Sequence, residues 1–191
     1  MANFKNMNME TDISKAFQAH LDPNEKLIWT GQPKKGIVFR TADLFLIPFS
    51  LFWCGFAIFW FVSALLSGVP FFALFGVPFV IIGLIFVFGR FIIDAKQRAN
   101  TFYALTEERI IIKSGIYKIS IKSLNLKTLS DIELEEKSNS SGTISFGPKN
   151  PLMYWRNGLN WMPGANQTPE FQLIEDARKV YKLIIDFQKP H

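Results

Sequence analysis

From Leu44 to Gly89 the chain runs for 46 residues without an Asp, Glu, Lys or Arg. The clearly polar interruptions are Ser50, Ser63 and Ser67. A 191-residue chain cannot cover so long an apolar run on every side, which argues against a helical hairpin buried in a soluble core. Forty largely polar residues precede the run, and no short apolar core with a small-residue cleavage site lies near Met1, so a signal peptide is not expected. Cysteine is as scarce. Cys54 stands alone inside the run, which excludes an internal disulfide and a cysteine-based metal site. The histidines are His20 and His191, and neither belongs to a Cys, Asp or Ser constellation; no Gly-rich phosphate loop or zinc spacing occurs. No catalytic residue, metal site or cofactor is assigned, and an enzyme is not expected. The run also lacks any intramembrane ionisable residue, the usual mark of an ion or proton path, which argues against transport by this chain alone.

What is present begins with length. A bilayer core of about 30 Å takes ~20 apolar residues of helix, so the run is long enough for two passes. Ser67-Gly68-Val69-Pro70 breaks it, and a four-residue connection suits antiparallel helices. The pattern predicts one helix over 44–66 and a second over 71–93. Twelve Phe with Trp53 and Trp60 make the walls bulky. Gly55, Ser63, Gly76 and Gly83 are candidates for close backbone approach. Pro78 falls mid-helix, where neighbours must satisfy the freed carbonyl, and Pro48 lies in the first turn. Lys34, Lys35 and Arg40 precede the first helix and Arg90, Lys96 and Arg98 follow the second, while the loop between carries no charge. Positive flanks stay inside, so a multi-pass protein of the cell (inner) membrane with both termini cytoplasmic is expected.

After the hairpin the period changes to that of short strands. Thr101 to Leu105, Arg109 to Lys113, Tyr117 to Lys122, Asp131 to Glu135 and Thr143 to Phe146 read as a β-meander with solvated outer faces. In the third of these Ile119 and Ile121 share one face, with Lys118, Ser120 and Lys122 on the other. A final helix fits Asp176 to Gln188, with Ala177, Val180, Tyr181, Ile184 and Phe187 on one stripe and Asp176 as N-cap. Antiparallel strands closed by one amphipathic helix suggest a pleckstrin-homology-like roll.

The run Tyr103-Ala104-Leu105-Thr106-Glu107-Glu108-Arg109-Ile110-Ile111-Ile112-Lys113-Ser114-Gly115, with Ser141-Gly142-Thr143-Ile144 and the stretch from Phe171 to Ile185, resembles the bacterial pleckstrin-homology domain family. Glu25-Lys26-Leu27-Ile28-Trp29-Thr30-Gly31-Gln32-Pro33 is similar to the segment that precedes the membrane hairpin in anchored members. Lys149 to Thr168 departs from the compact pattern. The resemblance implies an α+β membrane protein: an N-terminal cytoplasmic segment over 1–40, a transmembrane hairpin over 41–94, and a bacterial pleckstrin-homology-like domain with a C-terminal helix over 95–191. It implies fold and placement and assigns no activity; some soluble members of the family assemble into rings.

Two groups of residues are candidates for contact with a membrane or partner. Lys113, Lys118, Lys122 and Lys127, with Lys96 and Arg98, are placed to make a positive surface beside the inner leaflet, where each base is worth ~1 kcal/mol; the alternative is scattered solubilising lysines. Tyr154, Trp155, Arg156 and Trp161 lie in the aromatic segment 152–163, which either covers the core of the roll or meets a membrane or partner. Asp131, Glu133 and Glu135 alternate along one strand and read as a solvated face. Nucleic-acid binding calls for aromatics beside the lysines, and here the alternation sets Ile and Leu opposite them. Two functions stay open. One is a non-catalytic, membrane-tethered interaction module that meets a protein partner, anionic lipid headgroups or copies of itself; the other is a small accessory subunit acting through its hairpin within a larger membrane complex.

Overall fold

A computed structural model describes residues 17–40, 42–68, 70–116, 118–137, 139–148 and 168–189. Two compact units emerge among them. One is Ile37–Ala95; the other gathers the described residues before and after it.

The second unit is built from seven strands: β1 (Leu27–Gly31), β2 (Phe102–Thr106), β3 (Arg109–Ser114), β4 (Ser120–Asn125), β5 (Ile132–Glu136), β6 (Gly142–Phe146) and β7 (Glu170–Ile174). They form an antiparallel sheet in the order β1-β2-β3-β4 and a second in the order β5-β6-β7. The core lies where Tyr103, Leu105, Ile110 and Ile112 of the first sheet meet Ile144, Phe146, Phe171 and Ile174 of the second. The closing helix contributes Ala177, Val180 and Ile184, with Tyr181 and Phe187 packed on the margin, which is the stripe expected from the sequence. Tyr103 ties the sheets together: its ring centroid is 4.7 Å from that of Phe171 and its hydroxyl accepts from the Gln172 amide at 3.1 Å. The far face of the first sheet is covered as well, by Phe17 over Ala104 and Ile111.

This pairing corrects the expected division at residue 95. Leu27–Gly31 is not part of a separate N-terminal segment: it pairs with β2, with Gly31 opposite Tyr103 and Trp29 opposite Leu105. Trp29 packs on Phe171 at 5.4 Å, within the main core. The hairpin is therefore an insertion between the first and second strands of the roll, not a module upstream of it.

The unit Ile37–Ala95 holds that hairpin. Helix α1 spans Asp43–Leu66. The returning helix is α-helical over Pro70–Leu84 (α2), passes through a π turn at Ile85–Gly89, and continues as α3 over Arg90–Ala99, six residues past the expected end at 93. Both helices are long and apolar enough to cross a membrane. They meet along small residues. Ser50, Cys54 and Ala57 of α1 and Ala73 of α2 are buried. A Cβ on Gly83 would stand 3.0 Å from the Cys54 Cα, and one on Gly76 3.1 Å from the Trp60 and Phe61 rings, so a side chain at either would press on the facing helix. Gly55 is not part of this seam; nothing lies within 4 Å of its Cβ position.

The closing helix, α4 (Ala177–Gln188), begins at Asp176 as expected, but not by the expected cap. Asp176 takes a left-handed conformation (φ 49°) and its side chain makes no capping hydrogen bond; its carbonyl accepts from Lys179 and Val180.

Candidate functional site

Polar side chains collect at three places, and two of them serve the fold. The first joins the segment before β1 to the β2–β3 turn. Arg109 donates through Nε to Glu25 Oε1 at 2.8 Å and through Nη2 to Oε2 at 2.7 Å, while the Thr106 hydroxyl donates to Oε1 at 2.7 Å. Asp22 adds a carboxylate 3.0 Å from Nη2. The Glu25 side chain is 2% exposed, and the Arg109 hydrogen bonds hold its carboxyl down at about 2 from an ordinary 4.5. The neighbours Glu107 and Glu108 are the nearest partners for Arg109 in sequence, yet the structure pairs it with a residue 84 positions away.

The second lies at the foot of the hairpin. The Asp43 carboxylate accepts from the Arg40 amide at 2.6 Å and lies 3.0 Å from Arg90 Nη1, while Arg40 Nη2 reaches Asp94 at 2.7 Å. Arg90 is 4% exposed and stands over the Phe91 ring at 4.5 Å, a cation–π contact. Two of the six flanking bases are thus tied to acids on the opposite helix. Arg98 is withdrawn in another way: 3% exposed, it donates to the carbonyls of Lys34 and Gly36 at 2.7 Å each. It clamps the strand leaving β1 beside the helix that leads into β2, and so is not part of a positive surface.

The third place is the β3–β4 hairpin, where the candidate lysines fall. Register decides how they group. Lys113 is opposite Ile121 and Lys122 is opposite Ile112, so these two lysines project from opposite faces of the sheet. Lys118 is exposed in the turn, and Lys127 lies in a 3-10 turn (Leu126–Thr128) at the other end of β4. The four do not share one face. Beside them Ile119 is 66% and Ile121 42% exposed. The expected alternation is present, but the isoleucine face is uncovered along with the lysine face, because β4 is the edge of its sheet. The turn itself depends on Gly115, at φ +145°, where a Cβ would stand 2.0 Å from the Lys118 carbonyl oxygen.

Glu133 and Glu135 stand exposed on β5, opposite Ser145 and Thr143, with Asp131 exposed just before the strand. Among the described residues no group of His, Cys, Asp or Glu is placed to hold a metal ion. Tyr154, Trp155, Arg156 and Trp161, with the whole of 152–163, lie outside the described residues.

No family model matches the chain, and no curated protein matches it. Among solved structures, a DUF1696 family protein with a pleckstrin-homology domain from Shewanella loihica PV-4 aligns over 94% of this chain and 97% of its own, at 12% identity and a TM-score of 0.40. At that distance the likeness says nothing of what this chain binds.

Proposed function

We propose that the chain is a membrane-anchored, non-catalytic binding module: a pleckstrin-homology-like roll held at the cytoplasmic face of the cell membrane by a two-pass hairpin. The observation that carries this reading is the insertion of the hairpin between β1 and β2. Both strands that flank it belong to one sheet, so two passes return the chain to the side it left, and the roll can close only there. An upstream anchor would tether a domain through one strand of chain. An inserted one fixes it at two adjacent points, Gly31 and Phe102, with Arg98 bonded across them.

Charge supports the same placement. The hairpin interior is uncharged, and Arg40, Asp43, Arg90 and Asp94 cross-pair at its foot, so few charges there need separate solvation. The polar network around Glu25 joins the segment before β1 to the β2–β3 turn, a structural role. A surface so fixed beside a bilayer serves recognition of lipid headgroups, of a protein partner or of another copy.

Purification of the full chain in mild detergent tests this. Retained lipid, or association with itself or a soluble partner through the roll, supports the module. A stable, stoichiometric complex with other membrane proteins that survives replacement of the roll's surface residues but not of the hairpin's would instead identify an accessory subunit.

A further inference from the structure

Arg90 is the first charge after the uncharged run from Leu44 to Gly89, and its side chain is 4% exposed. A guanidinium carries five N–H donors in a fixed fork and accepts nothing. Nη1 lies 3.0 Å from Asp43 Oδ1. Nε and Nη2 are buried and meet no hydrogen-bond acceptor among the described residues. These two lie along one edge of the group, and elsewhere in the chain that edge holds a carboxylate. Arg109 grips Glu25 with it at 2.8 and 2.7 Å, and Arg178 grips Glu136 at 2.9 and 2.6 Å. Buried donors of a charged group are costly to leave unmade, so an orphaned pair on one edge points to a ligand.

The acids nearby are already engaged. Asp43 turns one oxygen to Arg90 Nη1, and its other oxygen accepts from the Arg40 amide at 2.6 Å. Asp94, one turn on from Arg90, accepts from Arg40 Nη2 at 2.7 Å. Asp43 holds the guanidinium from one side and the Phe91 ring lies 4.5 Å from its central carbon, which fixes the direction of the remaining edge. Phe91 in turn meets the Phe39 ring at 5.6 Å. Phe39 is 67% exposed and Phe91 half-buried, so this pair of rings can turn aside without opening a packed core.

The geometry points to an oxyanion site at the foot of the hairpin: the Nε–Nη2 edge of Arg90 takes two oxygens of a lipid headgroup phosphate, with Asp43 positioning the guanidinium. The inference rests on the anchoring proposed above and adds a ligand held by the hairpin itself. Side-on pairing of this kind selects carboxylates and phosphates. At the end of an apolar run that crosses a bilayer, the oxyanion at hand is the headgroup phosphate. Charge then selects among phosphates. Arg40 and Arg90 balance Asp43 and Asp94, so this group of four has no surplus positive charge, and its acids repel each further negative charge. A singly charged phosphodiester fits there better than free phosphate, which carries more charge.

Solid-state NMR of the full chain, isotope-labelled at arginine carbon and phenylalanine nitrogen, tests this. Arg90 is the arginine followed by Phe, so its guanidinium carbon is assigned without a variant. In bilayers of phosphatidylcholine with phosphatidylglycerol, the expected result is dephasing of that carbon by lipid phosphorus. In galactolipid bilayers, which hold no phosphorus, with inorganic phosphate in the buffer, the dephasing should be lost. An Arg90 carbon that is not dephased in phospholipid overturns the proposal. Dephasing that persists in the galactolipid sample makes free phosphate the ligand and overturns the lipid assignment. Proton magnetisation transfer from lipid chains to the hairpin phenylalanines, read in the same phospholipid sample, separates the two readings. No transfer refutes the anchor itself, whereas transfer to those residues with an undephased Arg90 refutes only the phosphate site.

Discussion

If β1 belongs to the roll, a fragment beginning at Lys96 should not fold, although it contains six of the seven strands and the closing helix. The deletion removes three supports. Phe17 is fully covered against Ala104 and Ile111, and loss of such a side chain costs ~3–5 kcal/mol. Trp29, half-buried on Phe171, costs at most the lower end of that range. Without Glu25, Thr106 and Arg109 lose their shared carboxylate, and breaking a buried pair costs ~3–5 kcal/mol, toward the lower end here because Arg109 is 24% exposed. Together these equal the whole stability of an ordinary domain, ~5–15 kcal/mol. The remedy follows from Arg98, whose side chain spans the carbonyls of Lys34 and Gly36, so the two ends of the roll lie within one side chain's reach. Residues 17–36 joined to 96–191 by six Gly/Ser residues, which reach roughly 13 Å, should fold without the hairpin. Circular dichroism and urea unfolding of both proteins decide it. The joined protein should show mixed strand and helix signals and one cooperative transition; the fragment should show neither. A fragment that unfolds with the same midpoint as the joined protein would refute the placement of β1.

Three further outcomes follow from the polar contacts and the helix seam. Glu25 has its carboxyl lowered to about 2 by Arg109, so its stabilising effect, on the order of 3 kcal/mol, is complete above about pH 4.5 and is lost as pH falls toward 2. In the joined protein Glu25→Gln should lower the stability at pH 7 and flatten its dependence over that acid window, as read by urea midpoints. Gly83→Leu should force the hairpin helices apart at Cys54, costing ~1–3 kcal/mol in detergent unfolding of the full chain, while Gly55→Leu, at an open position, should be near neutral. Arg90→Gln leaves Asp43 the Arg40 amide but removes its ion-pair partner, and should cost ~3 kcal/mol by the same assay; Arg90→Gln with Asp43→Asn should recover part of that.

The hairpin is legible in the sequence because apolarity along a helix is a local property, and α1 begins within one residue of its expected start. The strands β2, β3, β5 and β6 are legible for a similar reason, since alternation and turn residues mark them in place. What was not legible is nonlocal. Leu-Ile-Trp-Thr-Gly has no clear alternation, and its partner lies more than 70 residues on, across the hairpin. Arg109 has acids beside it in sequence but finds Glu25 in space. Alternation in β4 identifies two faces but not whether a second sheet covers either, so the exposure of Ile119 and Ile121 waits for the topology. The π turn at Ile85–Gly89 leaves no mark in a uniformly apolar stretch. Lys113 and Lys122 read as one patch along the chain, and register sets them on opposite faces.

The central claim, a roll closed on one side of a membrane around an inserted two-pass hairpin, is tested most directly by single-cysteine labelling of the full chain in intact cells. With Cys54 replaced by Ala, Ser67→Cys at the hairpin turn should react with a membrane-impermeant maleimide added outside. Cysteines at Lys26, before the hairpin, and at Lys137, after it, should react only once the membrane is opened. Protection of position 67 together with 26 and 137, or labelling of either 26 or 137 from outside, would contradict the account.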